Sequence, residues 1–227
     1  RVARWERGDT VAQPKVAVRG LSLIGSAHRA AVGLRLRRWT ETVASDLFQP
    51  PGRLQKRGGP AVQQLLSTLR EGLGMAPPVS VGRFSQEERH LLARSGIRLG
   101  QRAAFSQHML KARQAPVRRA LFRAWTGGAA PADAPVWSGR VASQDAARVL
   151  GMVRVGRVAV RIDVLEQAAA MVRKASRRGP FAMPSELPTA LSTDPDTAAW
   201  VLGGLGYGTV RVGGEWRFIP NNTRDRR

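Results

Sequence analysis

From Ser26 onward the apolar positions recur at helical spacing. Val32, Leu36, Trp39, Val43 and Leu47 stand three or four residues apart, which places them on one stripe, while Arg35, Arg37, Arg38 and Glu41 turn away from it. This pattern predicts a long amphipathic helix, ended by Pro50 and Pro51. A second helix is expected from about Pro60 to Glu71, burying Val62, Leu65, Leu66 and Leu69 and stopped by Gly72 and Gly74. Ser85 followed by Glu88 is a capping-box signature that opens a third helix through Leu91 and Leu92. A fourth, Val117 to Trp125, packs Leu121, Phe122 and Trp125 and displays Arg118, Arg119 and Arg123. Residues 26–126 therefore read as a basic, all-helical bundle. Ahead of it lie only short β-favouring runs (Val16, Val18, Leu21, Leu23, Ile24) broken by Gly8, Pro14 and Gly20, so residues 1–25 are expected to be an extension from a preceding domain.

The grammar changes after residues 127–142, a stretch punctuated by Gly127, Gly128, Pro131 and Pro135 that reads as a linker. Ser143 to Leu150 forms a short helix. Val153 to Val160 forms a hairpin if Gly156-Arg157 is its two-residue type II′ turn, which puts Val153, Val155, Val158 and Val160 on one face, Arg154 on the other and Arg157 at the tip. Asp163 is expected to cap a helix to about Ser176 that buries Leu165, Ala168, Ala169 and Val172 and exposes Arg173, Lys174 and Arg177. From Phe181 the chain reads strand, helix (Ser185 to Leu191), helix (Asp194 to Leu205, with Asp194 as N-cap and Pro195 first in the helix), then a hairpin turning at Gly213-Gly214. Counted from Asp163, this is the winged-helix order. The expected fold class is thus mainly α: a helical bundle followed, over residues 143–220, by a helix-hairpin and a winged-helix-like α+β unit with short β-hairpins, and then a polar tail at 221–227. One internal echo supports these pieces: Asp145-Ala-Ala-Arg-Val-Leu-Gly and Asp196-Thr-Ala-Ala-Trp-Val-Leu-Gly each precede a Val-Arg-Val-Gly segment.

Composition narrows the partners. The 227 residues carry 37 Lys plus Arg against 16 Asp plus Glu, a formal charge of +21, and only four of the basic residues are lysine. Such an excess repels itself unless a polyanion neutralises it, and guanidinium forks bind phosphate bidentately and stack on bases. Nucleic acid is the expected partner. Residues 1–126 hold 23 basic and 7 acidic residues, residues 127–227 hold 14 and 9, so the charge is concentrated in the helical half. Cysteine is absent, which excludes disulfides and thiolate metal sites. No apolar run reaches the ~20 residues of a membrane span, and a cytoplasmic protein without a membrane partner is expected. The opening Arg1 to Gly8 carries no targeting-type apolar segment, and the chain is expected to be a fragment or processed product.

Catalytic signatures are missing. No lysine follows a glycine, as a Walker A loop needs, and the Gly203-Gly-Leu-Gly-Tyr-Gly208 run closes a helix where a dinucleotide loop would open one. His28, His90 and His108 stand without metal-ligand spacing, and Glu87, Glu88, Asp194 and Asp196 sit where helix starts favour carboxylates. Neither a catalytic site, a cofactor nor a metal is expected.

The candidate nucleic-acid-binding residues are therefore surface cations and one aromatic ring that could stack on a base. They are Arg118, Arg119 and Arg123 on the fourth helix, Arg154, Arg157 and Arg161 on the first hairpin, Arg173, Lys174 and Arg177 after it, and Arg211, Trp216 and Arg217 on the last hairpin. A two-residue turn sets Arg211 opposite Trp216, where a cross-strand cation–π pair competes with base stacking by Trp216. The helix from Asp194 to Gly206, which would be the reader in a winged-helix DNA binder, has two aspartates and no basic residue, so base-specific major-groove reading through it is not expected.

Two stretches resemble the C-terminal region of bacterial superfamily 2 DExH helicases related to the mitochondrial degradosome RNA helicase. One is Leu91-Leu-Ala-Arg-Ser-Gly-Ile-Arg-Leu-Gly100, continuing through Phe105, Met109-Leu-Lys111 and Arg119-Ala-Leu-Phe-Arg-Ala-Trp125. The other is Gly156-Arg-Val-Ala-Val-Arg-Ile-Asp-Val-Leu-Glu166, followed by Phe181-Ala-Met-Pro and Val201-Leu-Gly-Gly-Leu-Gly-Tyr207; the leading Arg4-Trp-Glu-Arg-Gly8 adds to them. The chain departs from the family at Gln107-His-Met-Leu-Lys111, where a proline usually precedes the Leu-Leu-Lys step. The resemblance implies an upstream motor holding the ATP and Mg²⁺ sites, an intramolecular contact with that motor, and a non-catalytic accessory role here, binding single-stranded RNA by its backbone. The residues themselves leave two alternatives open: a stand-alone winged-helix DNA-binding regulator and a protein-docking scaffold.

Overall fold

Ala3–Thr10 (β1) and Gln13–Val18 (β2) pair as an antiparallel hairpin in the computed structural model of the chain, which describes residues 3–11, 13–18, 25–49, 52–131, 134–139, 143–177, 179–212 and 215–220. Leu21, Leu23, Ile24, the Pro50-Pro51 pair, the Gly213-Gly214 turn and the tail at 221–227 lie outside those residues. The chain divides into two compact units, Arg1–Ala130 with Arg148–Gly151, and Pro131–Ala147 with Met152–Arg227. The division falls inside the stretch read as a linker.

In the first unit, β2 lies against the long helix Ser26–Ser45 (α1). Thr40 is buried and its hydroxyl accepts a hydrogen bond from the Trp5 indole N–H at 3.2 Å. The expected helix forms, but its apolar stripe is not covered within the unit: Val32 is 37% exposed and Trp39 56%, and only Leu47, past the helix end, is fully buried. The next helices follow the pattern closely. Leu54 anchors Gly52–Arg57 (α2), and Pro60–Glu71 (α3) buries Val62, Leu65, Leu66 and Leu69 as the spacing requires. Gln86–Arg94 (α4) begins with a complete capping box, in which Ser85 Oγ accepts from the Glu88 N–H and Glu88 accepts from the Ser85 N–H. The unit's last long helix is Ala115–Thr126 (α5).

Residues 26–126 are not all helical, however. Met75–Ala76 (β3), Ile97–Leu99 (β4) and Ala104–Ser106 (β5) form a three-stranded antiparallel sheet with β5 in the middle, packed under the α3 and α4 side chains through Ala76, Ile97 and Ala104. Strands of two or three residues carry no readable alternation, which is why the apolar pattern shows only the helices.

The expected linker also contains structure. Val136–Trp137 (β6) pairs with Val158–Arg161 (β8), which pairs in turn with Met152–Val155 (β7). The β7–β8 turn is the one expected: Val155 faces Val158, Gly156 has φ +60°, and Arg157 stays at negative φ. Gln144–Val149 (α6) precedes this hairpin. Ile162–Ser176 (α7) follows and buries Leu165, Ala168, Ala169 and Val172. Arg161, not Asp163, stands at its N-cap; the Asp163 carboxylate instead accepts two hydrogen bonds from Arg161, at 2.7 and 3.1 Å, which removes it from the capping role. Phe181–Ala182 (β9), Leu187–Leu191 (α8), Pro195–Gly204 (α9), Tyr207–Val212 (β10) and Glu215–Pro220 (β11) complete the unit, around a core of Val160, Leu165, Leu187, Leu202 and Phe218. The protein is thus mixed α and β rather than mainly α, with small antiparallel sheets carrying much of its core.

One arrangement occurs three times. In the sheets β3-β5-β4, β6-β8-β7 and β10-β11-β9, the last strand of a hairpin is central and the strand that came before the intervening helix flanks it. The helix feeding each hairpin starts with a side-chain cap to the residue three on: Ser85 to the Glu88 N–H, Ser143 to the Ala146 N–H and Asp194 to the Thr197 N–H, at 3.1, 3.1 and 2.8 Å. Each such helix gives way to its hairpin strand through a left-handed glycine immediately before it, Gly96, Gly151 and Gly206, at φ +75°, +74° and +98°. Counted back four residues from that glycine, Leu92, Ala147 and Leu202 are all fully buried. The echo in the sequence joined the second and third of these; the structure adds the first.

Candidate nucleic-acid interface

The twelve residues singled out divide by what their side chains already hold. Arg118 is not displayed. It is 3% exposed, and its guanidinium donates from Nε to the Met109 carbonyl (3.0 Å), from Nη1 to the Val149 carbonyl (2.8 Å) and from Nη2 to the Leu73 carbonyl. Burial pushes its pKa down to about 9, so the side chain is still a cation at neutral pH. Its donors serve three carbonyls that helix and sheet ladders leave unpaired, and it ties Arg148–Gly151 to the unit. The spacing contained the signal: Arg118 stands three, four and seven residues before Leu121, Phe122 and Trp125, on the stripe itself. Its neighbours differ. Arg123 is exposed and Arg119 partly so.

In the second unit, Arg173, Lys174 and Arg177 are exposed at the end of α7, where they also complement the helix dipole. Arg154 is exposed on the outward face of the hairpin and donates to the Gly156 carbonyl at 3.3 Å. Arg161 is held by Asp163. Arg211 and Trp216 face each other across the last hairpin, with the guanidinium carbon 5.2 Å from the ring centroid, the cross-strand pair the register requires. Arg217 is exposed on the same strand.

Arg157 makes a contact that spacing could not show. Its guanidinium lies 3.0 Å from the centroid of Trp200, a ring on α9 that is still 41% exposed. The hairpin tip can come this close because residue 204 is glycine: a Cβ there would stand 2.4 Å from Val155 Cγ1 and 3.0 Å from the Gly156 nitrogen. The outward face of α9, already without a basic residue, is therefore partly covered by the neighbouring hairpin.

Sequence reasoning missed a basic trough in the first unit. A cleft of about 980 Å³ opens between α2 and α4, bordered by Arg53, Lys56, Arg57, Arg94 and His108. Positions 53, 56 and 57 are i, i+3 and i+4, so they share one face of α2, around the buried Leu54. Ser95 and His108 also border a second hollow of about 550 Å³, with Arg113 and Asp46 on its walls. Of the carboxylates at the cleft, Glu88 is committed to the Ser85 and Gly59 N–H groups, and Glu87 is exposed. His108 Nε2 lies 2.9 Å from Arg113 Nη2. Desolvation in the cleft wall, then the charges of Lys111 and Arg113, hold its pKa below the ordinary histidine value. A neutral ring accepts the Arg113 proton at Nε2, whereas a protonated one would face Arg113 as a like charge. The cleft residues come from α2, α4 and a 3₁₀ turn, separated by up to 55 positions, and no local period joins them.

Among the described residues, no helix is long and apolar enough to cross a membrane. Comparison with known proteins returns no relative: no family model, no curated protein and no solved structure matches the chain.

Proposed function

We propose that this chain is a non-catalytic accessory region of an ATP-dependent RNA helicase and that it holds single-stranded nucleic acid by the backbone, without strong sequence preference. The observation that carries the reading is where the charge sits. Among the described residues Arg118 is the one buried ionised side chain, and the other arginines and lysines described stand wholly or partly at the surface of a chain whose formal charge is +21. A polyanion that releases its counterions on binding is the partner such a surface favours.

The segment from α7 to β11 runs helix, strand, helix, helix, hairpin, with the first strand paired to the last, and we read it as a winged helix. Its reader helix supports backbone holding over base reading. That helix, α9, has Asp194 and Asp196 at its leading end, no cation, and Arg157 lying over Trp200. A sequence-specific DNA regulator would need that face free and basic. The ATP and Mg²⁺ chemistry belongs, on this reading, to a motor domain upstream, which the chain contacts in the same polypeptide.

Fluorescence anisotropy with single-stranded RNA oligomers of unrelated sequence tests the reading. Affinity should be similar for all of them and fall steeply, linearly in log–log form, as salt rises. An absence of binding at low salt overturns it, and so does strong preference for one duplex DNA sequence.

A further inference from the structure

The trough between α2 and α4 has a chemistry that none of the expected surface clusters has. We infer that this cleft is where the strand backbone is held, with Arg53, Lys56, Arg57 and Arg94 taking successive phosphodiesters and His108 making the binding proton-linked. The inference rests on the nucleic-acid reading above and deepens it by naming the site.

Three observations support it. First, the cations are presented by rigid elements. The three on α2 share one helical face by their i, i+3 and i+4 spacing on a helix anchored by the buried Leu54, and Arg94 comes from the last turn of the capped α4. Second, the opposing carboxylates are weak competitors. Glu88 spends its oxygens on two backbone N–H groups, and the other cleft carboxylate, Glu87, is exposed, where water screens it; the four cations named outnumber the two. Third, the cations extend beyond one hollow. Ser95 and His108 border both the larger hollow and the smaller one, and the wall of the smaller carries Arg113, so phosphate-binding groups stand on both sides of that shared border. Arginine and lysine in a groove that tracks a backbone is the arrangement sequence-tolerant single-strand binding uses.

His108 stands at the junction. The charged groups facing it are Arg113 and Lys111 on its own side, Arg94, Glu87 and Glu88 on α4, Arg53, Lys56 and Arg57 on α2, and Asp46 after α1. In the free protein desolvation, then the charges of Lys111 and Arg113, disfavours the protonated ring. A phosphodiester in the trough supplies the negative charge that offsets them, so the ring takes up a proton on binding and affinity rises as pH falls through the histidine range.

The test is a set of anisotropy titrations of the whole chain against a single-stranded RNA, with thermal unfolding to establish that each variant is folded. The substituted side chains are exposed, so folding should be retained. Lys56→Glu with Arg57→Glu should weaken binding by about tenfold and lower the salt slope by about two, whereas Arg37→Glu with Arg38→Glu, an equal change of charge on the exposed face of α1, should change it much less. Equal losses from the two pairs overturn the cleft while leaving the nucleic-acid reading intact; no binding by the parent chain overturns the reading beneath it. A mononucleotide that binds as tightly as the oligomer, in competition with it, would show the site to be one for free nucleotides and overturn the strand assignment. Finally, the parent should bind severalfold more tightly at about pH 5.5 than at about pH 8, and His108→Gln, which keeps an acceptor for Arg113 but does not titrate, should flatten that dependence. An unchanged pH profile in this variant removes His108 from the proposal.

Discussion

Arg118 shows how one residue type can serve opposite ends in a basic chain. Elsewhere among the described residues arginine stands wholly or partly at the surface; here it is a buried connector whose fork satisfies carbonyls of Leu73, Met109 and Val149. Replacing it with Met preserves bulk but leaves those carbonyls without donors, each at a cost of about 1–3 kcal/mol when buried. Arg118→Met should therefore lower unfolding free energy by about 3 kcal/mol or more, read from urea denaturation, and a loss below about 1 kcal/mol would contradict the role assigned. Asp194 illustrates a titrating cap. Hydrogen bonds from the Thr197 backbone N–H and then its hydroxyl favour the ionised form and hold its pKa below the ordinary carboxylate value. Its contribution is thus complete above about pH 4, the unfolded value, and disappears as pH falls through the lower folded one. Asp194→Asn keeps an acceptor without that titration, so the stability gap between parent and variant should narrow on acidification to about pH 2; a gap independent of pH would exclude the ionised cap.

At the scale of elements, the recurring strand–helix–hairpin is held by local features at fixed places. A side-chain cap starts the helix and a left-handed glycine turns it into the strand. Alanine at Gly96 or Gly206 meets no neighbouring atom within 4 Å, so its cost is the backbone conformation alone, about 1 kcal/mol. Gly151→Ala should cost more, because its Cβ would stand 2.9 Å from Leu110 Cδ2 and 3.1 Å from Met109 Cε. Urea midpoints for the three single variants check that ranking, and equal losses would show that packing at Gly151 gives way freely. Helices were legible in the sequence where end signals and period agreed, as in α3, between Pro60 and Gly72, and in α4, with its capping box. The strands β3 to β6 were not, since two or three residues pair only because an existing sheet or helix presents them with a partner. Along α1 the period was right and its consequence was not: the spacing of Val32, Leu36 and Trp39 specifies a stripe, but nothing in it says whether a neighbour covers the stripe.

At the scale of the whole molecule, charge and chemistry part company with local pattern. The +21 balance and the lack of cysteine are properties of composition and survive any folding. So do the caps at Ser85 and Asp194, the hairpin registers and the pairing of Arg211 with Trp216, because each depends on residues within a few positions of one another and on backbone geometry that those residues dictate. The candidate site was only partly readable. The exposed ends of α7 and the last hairpin were, whereas Arg118 moved from surface to core, Arg157 was engaged by Trp200, and Arg53, Lys56, Arg57, Arg94 and His108 were drawn into one trough. Those outcomes needed tertiary structure for one physical reason. Burial and long-range juxtaposition are set by which faces pack together, and a guanidinium has the same local pattern whether water, a backbone carbonyl or a phosphate receives its hydrogen bonds.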